Sequence, residues 1–478
     1  MNKLVIASIA CGATLLLAAT GYVGGAVWAG KAAEQSLQKQ HDWLVSQPYF
    51  IVKSRKYTRG WFSSTEETTL AINPELYRYF LQKEGEALPE FEIGYTHRIQ
   101  HGPLPLIGQF NPKPYKAVVV TEFNFAPEMR KKIDQIFGKQ APIEIENRIG
   151  FNDDGTMRIR IPTFEYEEAI SGVKAEWRGL NATLSYGGDY NSIQLTSNVP
   201  GFSGDAKQHG HLALDHLQLE MDQQRGRAGL MVGRTQAQLG QFNLTMQHQD
   251  QPFALDLEKL AYTGQLAEAG DFLNGDADIK LAKLSLDGQS YGPIDIRAEA
   301  KHLHGPTLYA LSQEFNQLQK SSLTQEQLSE EVIKLAQTHG MPLLMHDPEF
   351  AIKKLNIDLP DGQIHFAGAV GIKGFKEEDL KNAPQLIGKL NAHADFTVPR
   401  KVVETVVRWQ FRSQLGGKGN ISEADLDYLA EQLVEGQINR LAEQKLIRIE
   451  GDKLAATANL AGGKFTLNGE VVPLPWQQ

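Results

Sequence analysis

The sequence predicts an α+β fold, mainly β: an elongated antiparallel sheet with amphipathic helices in the C-terminal half, behind one N-terminal transmembrane helix. Three observations carry this expectation. Residues 4–30 are uncharged, apolar residues alternate with period two from about Phe50 to His304, and helical spacing becomes prominent only from Pro306. The 478 residues, 41% of them hydrophobic and only one a cysteine, can bury a core without disulfides. A formal net charge of -9 argues against nucleic acid as a partner, because binding phosphates needs concentrated Lys and Arg.

The N-terminal segment comes first. Its 27 residues between Lys3 and Lys31 would form roughly 40 Å of helix, enough for a hydrocarbon core of about 30 Å. Val27-Trp28-Ala29 offers a small-residue cleavage site, but a cleaved signal has an apolar stretch of only about 7–15 residues, so an uncleaved anchor is expected. Cys11 then lies inside the span. Gly21, Gly25 and Ala29 recur every four residues, a spacing that suits close approach of two helices in a homodimer. Residues 31–60 carry a local charge of +4 and read as a basic membrane-proximal neck, leaving -14 on residues 61–478.

Strands follow. Phe242, Leu244 and Met246 alternate with polar residues, as do Ile279 and Leu281 before the phase slips to Leu284 and Leu286. Leu212 and Leu214 slip in the same way to Leu217 and Leu219, which a bulge would absorb. Asn152-Asp153-Asp154-Gly155 and Gly187-Gly188-Asp189 are hairpin turns. With no helix expected through most of residues 61–304, parallel βαβ units are not expected and the sheet should be antiparallel, built from hairpins and meanders.

Residues 305–478 are expected to complete the same body. Leu308, Leu311, Phe315 and Leu318 have helical spacing, and Thr324 with Gln327 forms a capping box before Leu328. Strands return at 350–357 and 364–372. A helical region after Pro399 continues beyond a Ser422 cap, and a final hairpin pairs 454–460 with 464–472. The helices are expected to lie on the apolar face of the sheet.

Catalytic signatures are missing from the sequence. It has no Gly-rich phosphate loop, no dinucleotide fingerprint and no His-Glu-x-x-His pair. His209 with His211, and His302 with His304, stand at strand spacing that puts both rings on one face, yet neither pair has an identifiable third ligand. Glu165, Glu167 and Glu168 are read as solvated carboxylates. No catalytic residue, metal or cofactor is expected.

Several stretches resemble the YdgA-like family of bacterial envelope proteins, whose role is uncharacterised. They are Tyr57-Thr58-Arg59-Gly60-Trp61-Phe62-Ser63-Ser64, Ile99-Gln100-His101-Gly102-Pro103-Leu104-Pro105-Leu106, Asn147-Arg148-Ile149-Gly150 and Leu467-Asn468-Gly469, together with the N-terminal span. The resemblance implies an inner-membrane anchor with the bulk of the chain in the periplasm, and a homodimer. Read physically, Trp61 and Phe62 anchor a strand start, while Gly102 and Pro103 end a strand after His101. A structural or binding role is expected of Trp61, Phe62, His101, Gly102 and Pro103. The functional expectation is a non-enzymatic binding or scaffolding protein that handles phospholipid; the alternatives are an assembly or homodimeric module and, in third place, a periplasmic hydrolase.

Overall fold

The computed structural model describes residues 3–46, 49–74, 90–109, 111–168, 172–206, 210–248, 251–318, 325–415 and 423–474, with the side chains of the first helix described from Gly24 onward. His209, Thr324 and Ser422 lie outside the described residues, as do the surroundings of Cys11 and Gly21. Among the described residues no helix is long and apolar enough to cross a membrane.

Helix α1 (Lys3–Ser46) opens the chain. It leads into β1 (Phe50–Arg59), β2 (Ser63–Ile72), β3 (Glu92–His101) and β4 (Ala117–Asn124), then α2 (Pro127–Phe137). Next come β5 (Glu144–Ile149), β6 (Gly155–Ile161), β7 (Phe164–Glu167), β8 (Lys174–Trp177), β9 (Leu180–Tyr186) and β10 (Ser192–Asp205). Five long strands follow: β11 (Gly210–Arg225), β12 (Met231–His248), β13 (Gln251–Ala269), β14 (Phe272–Leu286) and, after the short β15 (Gln289–Tyr291), β16 (Ile294–His304). The last part comprises α3 (Gly305–Leu318), α4 (Gln325–Leu344), β17 (Glu349–Leu359), β18 (Gly362–Ile372), α5 (Ala383–Lys389), β19 (Leu390–Pro399), α6 (Arg400–Leu415), α7 (Glu423–Glu443), β20 (Arg448–Glu450), β21 (Lys453–Ala461), β22 (Lys464–Leu467) and β23 (Glu470–Val471).

The 23 strands among the described residues belong to one sheet, every described pair is antiparallel, and the ladder follows chain order almost throughout. β16 pairs with β14 past the short β15, β21 pairs with β19 past the short β20, and one larger rearrangement interrupts the order. β6 and β7 form one interrupted strand that turns back as β8 and β9, both of which pair with β10. Such a meander needs only short connections, which is why the expected absence of crossover helices translates into this topology. α2 was not foreseen. Pro127 at its start and Met129, Ile133, Ile136 and Phe137 at helical spacing were the available signal.

The phase slips are not bulges. Val199 pairs with Leu217 and Gly201 with Asp215, so one residue is skipped on each strand and the register is preserved. The same happens at His216 opposite Gly240, at Gly240 opposite Lys259 and at Lys259 opposite Ala282. His216 and Lys259 have φ of 52° and 53°, so a left-handed residue replaces an inserted one and the slips line up across neighbouring strands. The predicted terminal strand over 464–472 also divides, because Asn468 and Gly469 take positive φ and turn the chain into β23.

Residues 31–60, the basic stretch, form the C-terminal part of α1 and the edge strand β1. One placement differs from expectation. The helices do not blanket the apolar face. Tyr309 of α3 meets Gly229 in the β11–β12 turn, and Val402, Val434 and Ile438 of α6 and α7 pack on Val398 and Leu454 at strand ends. The helices of each pair, α3 with α4 and α6 with α7, contact one another and the ends of strands.

Candidate functional site

The register places apolar residues of one face in rows that run across the strands. Val199, Leu217, Leu239, Leu260, Leu281, Ile294, Ile357 and Ile364 are successive cross-strand partners on eight strands. Beside them runs a bulkier row: Leu219, Ala237, Tyr262, Ile279, Ile296, Leu355, Phe366 and Phe396. A third row is mostly small, with Gly264, Ala277, Ala298, Ile352, Gly368, Ala394 and Ala458. A bulge at Lys353 keeps Ile352 and Leu355 in these rows despite their odd spacing.

Small residues between large ones make a hollow. Over Ala277, Ala298, Gly368, Ala394 and Ala458 lies a concavity of about 720 Å³, bordered by Phe350, Phe366 and Phe465. Phe350 is 49% exposed, so the hollow is open rather than filled. The opposite face carries ion pairs such as Lys283–Glu258 and Lys354–Asp295. Sequence reading expected an apolar face but missed the hollow. Its signal was the recurrence of Gly275-Asp276-Ala277, Ala298-Glu299-Ala300, Ala392-His393-Ala394 and Ala456-Thr457-Ala458 within strands, since alternate small residues deepen one face.

Toward the N-terminal strands the same face is roofed. Leu184 of β9, partnered by Leu195 on one side and Met157 on the other, leads to Ile145, Thr121 and Phe123 beneath α1. A second cavity of about 450 Å³ lies there, lined by Leu37 and Leu44 of α1 and by Leu70, Ile93, Phe123 and Leu184 of the sheet. It contains a buried carboxylate. Glu66 Oε1 accepts from Arg55 Nε at 2.5 Å, while Oε2 has no hydrogen-bond partner among the described residues. His97, opposite Glu66, sits 3.0 Å from Thr121 Oγ1, and burial lowers its pKa. Tyr186 donates to Asn147 Oδ1 at 2.9 Å and accepts from Gln40 Nε2 at 2.7 Å; burial pushes its phenol up to about 12.

α1 is locked onto this end by the motifs singled out in the sequence. His101 is 2% exposed; its Nδ1 lies 3.2 Å from the Ala26 carbonyl, which can only accept, so Nδ1 carries the proton and Nε2 accepts from the Ser64 hydroxyl at 3.1 Å. The Gly30 backbone rests on the His101 ring, Gly25 on the Pro103 ring, and Gly102 against Ala26. Gly25 of the expected dimer face thus packs on this chain's own Pro103, and Ala29 is fully buried. A polar latch supplements the packing. Asp153 accepts from Ser36 Oγ at 2.5 Å and Lys39 Nζ at 3.2 Å and pairs closely with buried Lys116. Burial alone would raise the Asp153 carboxyl, but these donors outweigh it and hold it below the usual range.

The other candidates separate. Trp61 and Phe62 are exposed at the β1–β2 turn, not in the core. His302 stacks on Phe272 at 3.7 Å and His304 on His346 at 3.8 Å, and among the described residues no group of three His, Cys, Asp or Glu could hold a metal ion. Glu165 lies opposite Glu176 on the short β7–β8 hairpin.

Comparison with known proteins gives a family without a function. Protein YdgA of Escherichia coli (strain K12) is 23% identical over 482 residues, covering 95% of this chain and 92% of that protein. No solved structure matches. The family model described as "Bacterial protein of unknown function (DUF945)" matches residues 1–475, and the chain belongs to that family.

Proposed function

We propose that this protein is a membrane-anchored envelope protein that holds lipid acyl chains on the uncovered apolar face of its sheet, binding them without chemical change. The observation that carries the reading is the set of apolar rows that continue from strand to strand and stay open over the small-residue hollow. Each methylene moved from water onto such a surface contributes about 0.8 kcal/mol. At about 4.8 Å per strand, the eight strands of the Leu219 to Phe396 row, on which Tyr262 and Phe396 are exposed, give a track of roughly 35 Å, long enough for an extended chain. The face has depth where residues are small and a sheltered end beneath α1, both of which favour a flexible apolar chain over a flat partner. The uncharged residues 4–30 supply the anchor beside a lipid source.

The test is photocrosslinking in the membrane with the full chain. Benzoyl-phenylalanine at Phe366 is expected to gain the mass of a phospholipid or fatty acid, whereas the same group at Lys280, on the opposite face, is not. A protein-sized adduct at Phe366, or equal lipid capture at both positions, overturns the reading, the first because a second copy or another protein then covers the face.

A further inference from the structure

The structure places an uncharged aromatic collar around the point where α1 leaves the sheet. Three loop tips meet there: residues 60–62 between β1 and β2, residues 102–109 after β3, and residues 150–152 at the start of the β5–β6 turn. These stretches carry no charged residue, and Asp153 and Asp154 follow directly in the β5–β6 turn. Their proximity rests on direct contacts. The Phe62 carbonyl accepts from the His101 amide at 3.0 Å, Pro103 lies against Gly25 of α1, and Phe151 stacks on Trp28 of α1 with ring centroids 6.0 Å apart.

What the collar presents outward is unusual for a water-facing surface. Trp61 is 70% exposed, Trp28 61% and Ile107 52%. Large side chains this exposed, with Trp among them, cost solubility and match the composition of an interfacial aromatic belt. Of the charges beside the tips, Arg59 pairs with Glu34, and Asp153 with Lys116 and Lys39. The uncharged segment 4–30 ends inside this ring, and Trp28 belongs both to it and to the collar. That continuity selects the occupant.

We propose that the three loop tips dock on a lipid bilayer surface, with Trp61, Ile107 and Phe151 at headgroup depth, so that α1 enters the membrane through the collar and the sheet is held at a fixed attitude to it. This rests on the anchoring part of the reading above and not on acyl-chain binding.

The experiment uses the full chain in nanodiscs of phosphatidylethanolamine and phosphatidylglycerol at 3:1, labelled with an environment-sensitive dye. The native Cys11 reports the anchor. Ile107→Cys, Phe151→Cys and, as the control, Ser290→Cys on the short strand β15 are made in a Cys11→Ser background. Doxyl-labelled lipids are expected to quench the two collar labels at least threefold more than the control, with aqueous iodide quenching them less than the control. If Cys11 is quenched and the collar labels match Ser290→Cys, docking is overturned while the anchor stands. If Cys11 is not quenched either, the anchor fails with it. Trp61→Ser is expected to lower the quenching at position 107 without changing the thermal midpoint, and unchanged quenching also counts against the collar.

Discussion

Replacing Ala394 with glutamate tests the hollow directly. Ala394 lies between Gly368 and Ala458 on the floor of the concavity, with a small neighbour on each side. A glutamate there finds water above the open face, so it leaves the sheet hydrogen bonds intact and alters the thermal midpoint little. A bound chain responds differently. The carboxylate lifts about three methylenes off the floor, and at about 0.8 kcal/mol each the loss is about 2.4 kcal/mol, or roughly sixtyfold in affinity. The assay is a fluorescence titration of the full chain in detergent below its micellar concentration with cis-parinaric acid, wild type against A394E, with K280E on the opposite face as control. Equal affinities for wild type and A394E would refute the reasoning, since a chain resting on these strands cannot ignore a charge placed beneath it. Equal weakening by K280E would refute it too, because net charge would then explain the effect.

Two further outcomes follow from the way α1 is seated. A Cβ at Gly30 would lie 2.6 Å from His101 Cε1, so Gly30→Val is expected to destabilise by about 1–3 kcal/mol through overpacking, and adding His101→Ala should recover part of that loss; strictly additive midpoints by calorimetry would show that the two do not meet. Burial holds the His101 pKa below its ordinary 6.5 despite the Ala26 hydrogen bond, so its contribution is complete above pH 6.5 and is lost as pH falls through the lower folded value, with buried His97 acting in the same sense. The Asp153 carboxyl, also lowered, adds loss only in stronger acid, below its ordinary 3.8. The midpoint should therefore fall between pH 7 and pH 5, and His101→Asn, whose amide does not titrate, should flatten that slope; an equal slope in both proteins removes His101 from the account.

The sequence alone determined the antiparallel meander, because alternation of period two with close turns leaves few other solutions, and it located α3, α4, α6 and α7 through their 3–4-residue spacing. It also singled out His101-Gly102-Pro103. It could not say what those residues touch, since Gly25, Ala26 and Gly30 are more than seventy positions away in the chain and reach them only when α1 lies on β3. For the same reason the four-residue spacing of Gly21, Gly25 and Ala29 reveals that a helix face is narrow, not what fills the space beside it, and at Gly25 that space holds Pro103 of this chain. The open face was decided at the tertiary level. Amphipathic helices and an apolar sheet face are both visible in the sequence, but whether they cover one another depends on strand-end geometry, and here the helices pair with each other and cap strand ends. The hollow likewise exists only because cross-strand register brings alanines and glycines from distant segments into one row, a juxtaposition that no single strand encodes.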